Sequence, residues 1–264
     1  MKTAPFSIIY EDRRILAVNK APGLALGADR WDESRERLDR LLAARRPGMF
    51  TVHRIDKDTS GLVIFAKDTE THRKLSAAFE SRRVKKQYTA AVHGRPLWIE
   101  TECSLPLVPD GDKQHRTIVD KYRGKPSVTR LRLLFSAGNY SVLEVFPETG
   151  RTHQIRVHCA SLGHPVVCDP LYSAGGRIGR RGPKGIFLSS FKRGWRGDPL
   201  EEKPLLERLG LHAVRLELPD YRQDCHTGEA EAGSFVLEAP MPRDMRALIQ
   251  QMEKCSAAGS INKV

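Results

Sequence analysis

No apolar run in this 264-residue sequence approaches the roughly 20 residues a helix needs to cross a bilayer, and no polybasic block flanks an amphipathic anchor. A membrane protein is therefore set aside. Met1 to Tyr10 lacks the apolar core and small-residue cleavage site of a secretory signal, so the chain is expected in the cytoplasm. Cysteine is scarce too: the five (Cys103, Cys159, Cys168, Cys225, Cys255) are odd in number and include no Cys-x-x-Cys pair. That argues against a disulfide framework and a thiolate zinc site, and predicts reduced, mostly buried thiols. The length is too short for two ordinary enzyme domains with a linker, so one catalytic domain over residues 1–264 is expected. Acidic residues are in deficit, 32 against 44 basic ones, for a formal charge of +12. Such a surplus favours a polyanionic partner, nucleic acid first.

Ile8 to Tyr10 and Ile15 to Asn19 read as strands around the turn Glu11 to Arg14, and Lys20-Ala21-Pro22-Gly23 ends the second. Ser34 is placed to cap a helix through about Ala44, with Leu38, Leu41 and Leu42 on one face. The polar run Thr51 to Gly61 feeds Leu62 to Ala66, an apolar stretch suited to a strand buried on both faces. Thr69 to Arg83 reads as a helix with Leu75, Ala78 and Phe79 inward, and Lys85 to His93 alternates so that Tyr88, Ala90 and Val92 share a face. Val128 to Phe135 and Tyr140 to Phe146 form a second hairpin. Gly150 to Leu162 then reads as a helix with Ile155, Cys159 and Leu162 on one side and Gly163 as its left-handed cap.

Ser173 to Gly197 carries seven lysines or arginines and no acidic residue, which suits a mobile basic loop better than a packed element. It forms most of an expected basic insertion at about 173–209. Leu211 to Leu218 is strand-like, and Pro240 and Pro242 introduce a closing helix with Met245, Leu248, Ile249 and Met252 on one side. Hairpins mixed with separate helices predict an α+β domain on a largely antiparallel, mixed sheet with flanking helices.

Two clusters could carry chemistry. His53-Arg54-x-Asp56-x-Asp58 puts an imidazole, a guanidinium and two carboxylates in a glycine-terminated loop ahead of a buried strand. Taken alone, it reads equally as a solvated charged turn. Gly150 to His158 packs Arg151, Thr152, His153, Gln154 and Arg156 at a helix start, a natural phosphate site or an ordinary polar face. The five-residue spacing of His153 and His158 splays them around a helix, so no metal is assigned.

His53-Arg54-Ile55-Asp56-Lys57-Asp58-Thr59-Ser60-Gly61-Leu62 resembles the signature segment of the RluA-type pseudouridine synthases, which modify ribosomal and transfer RNA. Val18 to Leu24, Lys86 to Ala90, Gly150 to His158 with Gly163 to Val166 and Asp169 to Tyr172, Leu211 to Ala213 and Ala239 to Pro242 resemble further family segments in order. The likeness thus covers nearly the whole chain. It implies a pseudouridine synthase fold with RNA-binding loops, in a short form without the small RNA-binding module that often precedes the catalytic domain.

By residue, the resemblance makes Asp56 the catalytic carboxylate, Arg156 the arginine that pairs with it, and Tyr88 the aromatic lying against the target base. Arg54 matches a position that fills the space left when a uridine is turned out of its stack. His53, Arg151 and His153 are further candidates for RNA contact, each equally able to brace its loop or helix. The expected partner is transfer or ribosomal RNA, with no cofactor, no obligate protein partner and a monomeric state. A non-catalytic RNA-binding protein on the same scaffold is the alternative, and a metal-dependent nuclease lacks the carboxylate or His pairs it would need.

Overall fold

The computed structural model describes residues 4–27, 36–172, 185–221 and 233–260, the last four through their backbone only. In chain order its strands are β1 (Phe6–Glu11), β2 (Ile15–Lys20), β3 (Phe50–Thr51), β4 (Ser60–Ala66), β5 (Lys85–His93), β6 (Glu100–Cys103), β7 (Leu107–Val108), β8 (Ile118–Val119), β9 (Thr129–Ala137), β10 (Tyr140–Pro147), β11 (Leu211–Pro219) and β12 (Ser234–Glu238). The helices are α1 (Leu38–Ala43), α2 (Thr69–Glu80), α3 (Gln154–Ser161) and α4 (Arg243–Ser260). The chain groups into two compact units, Met1–Gln87 with His212–Pro240, and Tyr88–Leu211 with Met241–Val264.

In the first unit β1, β2 and β4 pair antiparallel in that order, β11 joins β4 in parallel, and β12 pairs antiparallel with β11. Every residue of β4 is buried, as the apolar run Leu62 to Ala66 requires. Helix α2 lays Leu75 and Ala78 against Ile15, Ala17, Leu62 and Ile64. Its start is set by Asp68, whose carboxylate accepts from Thr71 N–H at 2.7 Å and Thr71 O–H at 2.8 Å. It stops at Glu80 rather than Arg83, because Arg82 turns left-handed (φ 59°) while Arg82 and Arg83 N–H bond back to Phe79 and Ala78. This is a Schellman end that the composition disguises by placing arginine where glycine is usual. Helix α1 begins at Leu38, later than a start after Ser34 would put it, because Arg37 ahead of it is extended (φ −131°, ψ 144°); Leu38 and Leu42 are buried, and Ser34 itself lies outside the described residues.

In the second unit β5, β10, β9 and β6 pair antiparallel in that order, and β7 with β8 makes a separate ribbon. One face of the sheet, with Ala90, Val92, Leu143 and Val145, packs on Ile155 and Cys159 of α3. The other, with Ala91 and Val142, packs on Met245, Leu248 and Met252 of α4.

Residues 173–184 of the basic insertion lie outside the described residues, but its remainder is packed: Ile186 and Phe191, 1% and 6% exposed, join the α4 cluster, and Ile186 N–H bonds Leu206 O at 2.8 Å. Apolar anchors spaced between the cations decide this. Helix α3 begins at Gln154, four residues later than the pattern suggested, because His153 is left-handed (φ 54°) and residues 150–153 form a turn. Gln154 holds that turn by accepting from Thr149 O–H at 2.7 Å and Arg151 N–H at 3.0 Å, while its amide donates to Val128 O and Thr129 Oγ1 at 2.9 Å each. Gly163 (φ 82°) closes α3 as expected.

Candidate active site

In the first unit, the loop from His53 to Thr59 is tied down at several points, with Arg54 exposed, Asp56, Lys57 and Asp58 half-buried, and Ile55 buried. The Asp56 carbonyl accepts from Thr59 N–H at 3.2 Å, closing a turn around the carboxylate-bearing residue. Lys57 O accepts from Gly23 N–H at 2.9 Å and from Lys20 Nζ at 2.8 Å. Lys20 is fully buried at the end of β2, and its ammonium also donates to the carbonyls of Ala21 and Leu24 at 3.0 and 2.8 Å. A buried ammonium is tolerated only when its protons are met, so this arrangement fixes the β2 turn and the Asp56 loop to one point. At the far end, His212 Nε2–H donates to Ala239 O at 3.2 Å, which leaves Nδ1 to accept from Ser60 O–H at 3.0 Å.

His53 has a bracing position. Its ring stacks on Phe79 with centroids 4.6 Å apart, and Nε2 accepts from Ile64 N–H at 3.1 Å. Burial, aided by the nearby Lys86 cation, pushes its pKa down to about 3, so the imidazole is neutral at physiological pH. Burial and neighbouring Arg82 bring Lys86 down to about 8. Arg54 makes no ion pair or hydrogen bond among the described residues. Its guanidinium is open to a ligand.

In the second unit, Tyr88 is half-buried on β5 opposite Val145 of β10. Arg156 lies on α3 with its side chain 2% exposed and makes a two-pronged pair with Asp169, itself 0% exposed: Nε to Oδ2 and Nη2 to Oδ1, both at 2.8 Å. The Tyr172 ring lies against the guanidinium, 5.1 Å from its carbon to the ring centroid. His153 Nδ1 meets the Tyr172 hydroxyl at 2.9 Å, and Arg151 donates weakly to Pro126 O at 3.3 and 3.4 Å. Asp169, Tyr172, Lys20 and His212 were legible only as members of motif segments, not as holders of these groups. Among the described residues, no group of three or more His, Cys, Asp or Glu is placed to hold a metal.

A family profile described as RNA pseudouridylate synthase matches residues 14–161, more than half of the chain. The chain belongs to that family. Asp56, Tyr88 and Arg156 all fall inside the matched span. The Ribosomal large subunit pseudouridine synthase D of Zymomonas mobilis is 37% identical over 260 residues, covering 94% of this chain and 73% of that protein. The Dual-specificity RNA pseudouridine synthase RluA of Escherichia coli is 35% identical over 168 residues, covering 63% of this chain and 77% of that protein. Among solved structures, Human RNA Pseudouridylate Synthase Domain Containing 1 superposes with a TM-score of 0.61 at 27% identity, covering 94% of each chain. Against several other curated pseudouridine synthases the chain spans only 55–65% of their length. These relatives place the chain among the RluA-type pseudouridine synthases, as its motifs implied, and make it an isomerase acting on RNA. Its antiparallel-rich α+β architecture is that of a pseudouridine synthase, and among the described residues no helix is long and apolar enough to cross a membrane.

Proposed function

We propose that this pseudouridine synthase isomerises specific uridines in structured ribosomal or transfer RNA, with the Asp56 carboxylate acting at the anomeric carbon of an extruded nucleotide. The reaction breaks the bond from uracil N1 to C1′, turns the base, and joins C5 to C1′; the C5 proton leaves and N1 gains one, so no redox equivalent is consumed. In this reading Arg156 neutralises Asp56, since a carboxylate taken out of water needs a permanent cation beside it. Tyr88 lies on the base, where its ring stacks and its hydroxyl relays a proton. Arg54 enters the gap in the stack, offsetting an unstacking cost on the order of a few kcal/mol. Arg151 contacts the backbone, while His53 and His153 hold the loops that present these cations. The exposed Lys192, Arg193 and Arg196 of the basic insertion grip further phosphates.

The observation that carries this reading is the Asp56 loop: a half-buried carboxylate on a segment anchored by Lys20, Ile55 and Ser60, within a family match that also contains Tyr88 and Arg156. The Zymomonas relative, aligned over 94% of the chain, is named for the large ribosomal subunit, which favours a ribosomal RNA substrate. A cytoplasmic, monomeric enzyme is part of the same proposal. The test is to incubate cellular RNA with the protein and a chelator and map pseudouridine chemically. Product that survives chelation and vanishes in Asp56→Ala supports the reading; RNA binding without product, or strand cleavage, overturns it.

A further inference from the structure

The turn after α3 is built around one carboxylate. Asp169 Oδ1 accepts from Leu171 N–H at 2.9 Å and Tyr172 N–H at 3.2 Å as well as from Arg156, so the group that pins the guanidinium also shapes the turn that carries Tyr172. Tyr172 is held in turn from two other elements. Its hydroxyl accepts from Thr117 N–H at 2.9 Å, just ahead of β8, and meets His153 Nδ1 at 2.9 Å. Burial raises the phenol's pKa, so the hydroxyl keeps its proton. Arg116, beside Thr117, adds a bond from Nη1 to Leu171 O at 3.1 Å. The ribbon that supplies these bonds exposes Lys113, Lys121, Arg123 and Lys125, with Tyr122 98% exposed.

Asp169 holds two nitrogens along one edge of the guanidinium, and the Tyr172 ring packs against the group, 5.1 Å from its carbon to the ring centroid, where it limits tilt. The ring is only as fixed as its hydroxyl, and that is anchored in the β7–β8 ribbon and the His153 turn. We infer that Tyr172 is a positioning residue for Arg156, setting the orientation of the guanidinium through hydroxyl anchors on the ribbon and on His153. This rests on the reading of Arg156 as the partner of the catalytic carboxylate.

Tyr172→Phe tests it, because the ring stays and only the anchors go. Single-turnover rate at saturating RNA and RNA Kd are measured for wild type, Tyr172→Phe, Arg156→Lys and the double variant. Loss of one or two hydrogen bonds predicts a rate about ten-fold lower in Tyr172→Phe, with Kd changed by less than about two-fold. In the Arg156→Lys background, where no planar guanidinium remains to orient, the same exchange changes the rate by less than about two-fold. An unchanged rate in Tyr172→Phe, a loss confined to Kd, or an equal loss on both backgrounds overturns the inference alone. A wild-type rate in Arg156→Lys instead sinks the catalytic reading of Arg156 on which the inference stands.

Discussion

Gly61 closes the signature loop and opens the buried strand β4, and replacing it with alanine should be among the most damaging single-methyl changes in the chain. Its φ of +120° lies beyond the left-handed region that other residues visit, and a Cβ there would sit 2.2 Å from Ala213 O and 2.7 Å from Ala213 N. Neither atom can swing aside, because both belong to β11 where it pairs in parallel with β4 at His212↔Ser60 and Ala213↔Gly61. The backbone strain costs about 1–3 kcal/mol, and prising the strands apart loses ladder bonds at about 1 kcal/mol each. A total of about 3–5 kcal/mol is a large share of a typical stability of about 5–15 kcal/mol. Gly23→Ala is the control: its φ is +82° and nothing lies within 4 Å of the added carbon, so only the conformational cost of about 1–2 kcal/mol applies. Urea unfolding compares the two, with isomerisation followed in parallel because β4 begins four residues after Asp56. Gly61→Ala should unfold at far lower urea than Gly23→Ala, or fail to accumulate as folded protein while Gly23→Ala does. Stabilities within about 1 kcal/mol of each other would refute the packing argument.

His53 gives a pH prediction. An unfolded histidine takes its proton near pH 6.5, whereas the folded one resists protonation until about pH 3, so its stabilising contribution is complete above pH 6.5 and declines as pH falls toward 3. Urea midpoints measured from pH 7 to 5 should fall less steeply in His53→Asn than in wild type; parallel curves would contradict the neutral, buried imidazole. Asp169→Asn removes the buried carboxylate that grips Arg156 through two hydrogen bonds and should cost about 3–5 kcal/mol in urea unfolding. A loss below about 1 kcal/mol would show that the guanidinium is compensated elsewhere.

Much of the scaffold was readable because it depends on local pattern. The β1–β2 hairpin, the apolar run Leu62 to Ala66 of β4, the alternation of β5 and the Gly163 cap all follow from periodicity and turn chemistry. What escaped depends on contacts distant in sequence. Strands β6 and β12 are short, and Glu100–Cys103 carries two glutamates, so nothing local marks it as the partner of β9. The start of α3 was misplaced because Gln154, which reads as a helix residue, spends its side chain on a turn and on β9. Lysine at position 20 looks like a surface cation until the Lys57 carbonyl arrives from 37 residues away. The motifs named Asp56, Tyr88 and Arg156, but only the fold identifies Asp169 and Tyr172 as residues that hold Arg156.

The account turns on whether the carboxyl group of residue 56 drives exchange at uracil C5. RNA labelled with tritium at that carbon gives the direct reading, since making the new carbon–carbon bond must expel the label into water. With chelator present, the wild-type protein should release one tritium for each modified site and Asp56→Asn none above background; release by Asp56→Asn at a comparable rate would contradict it.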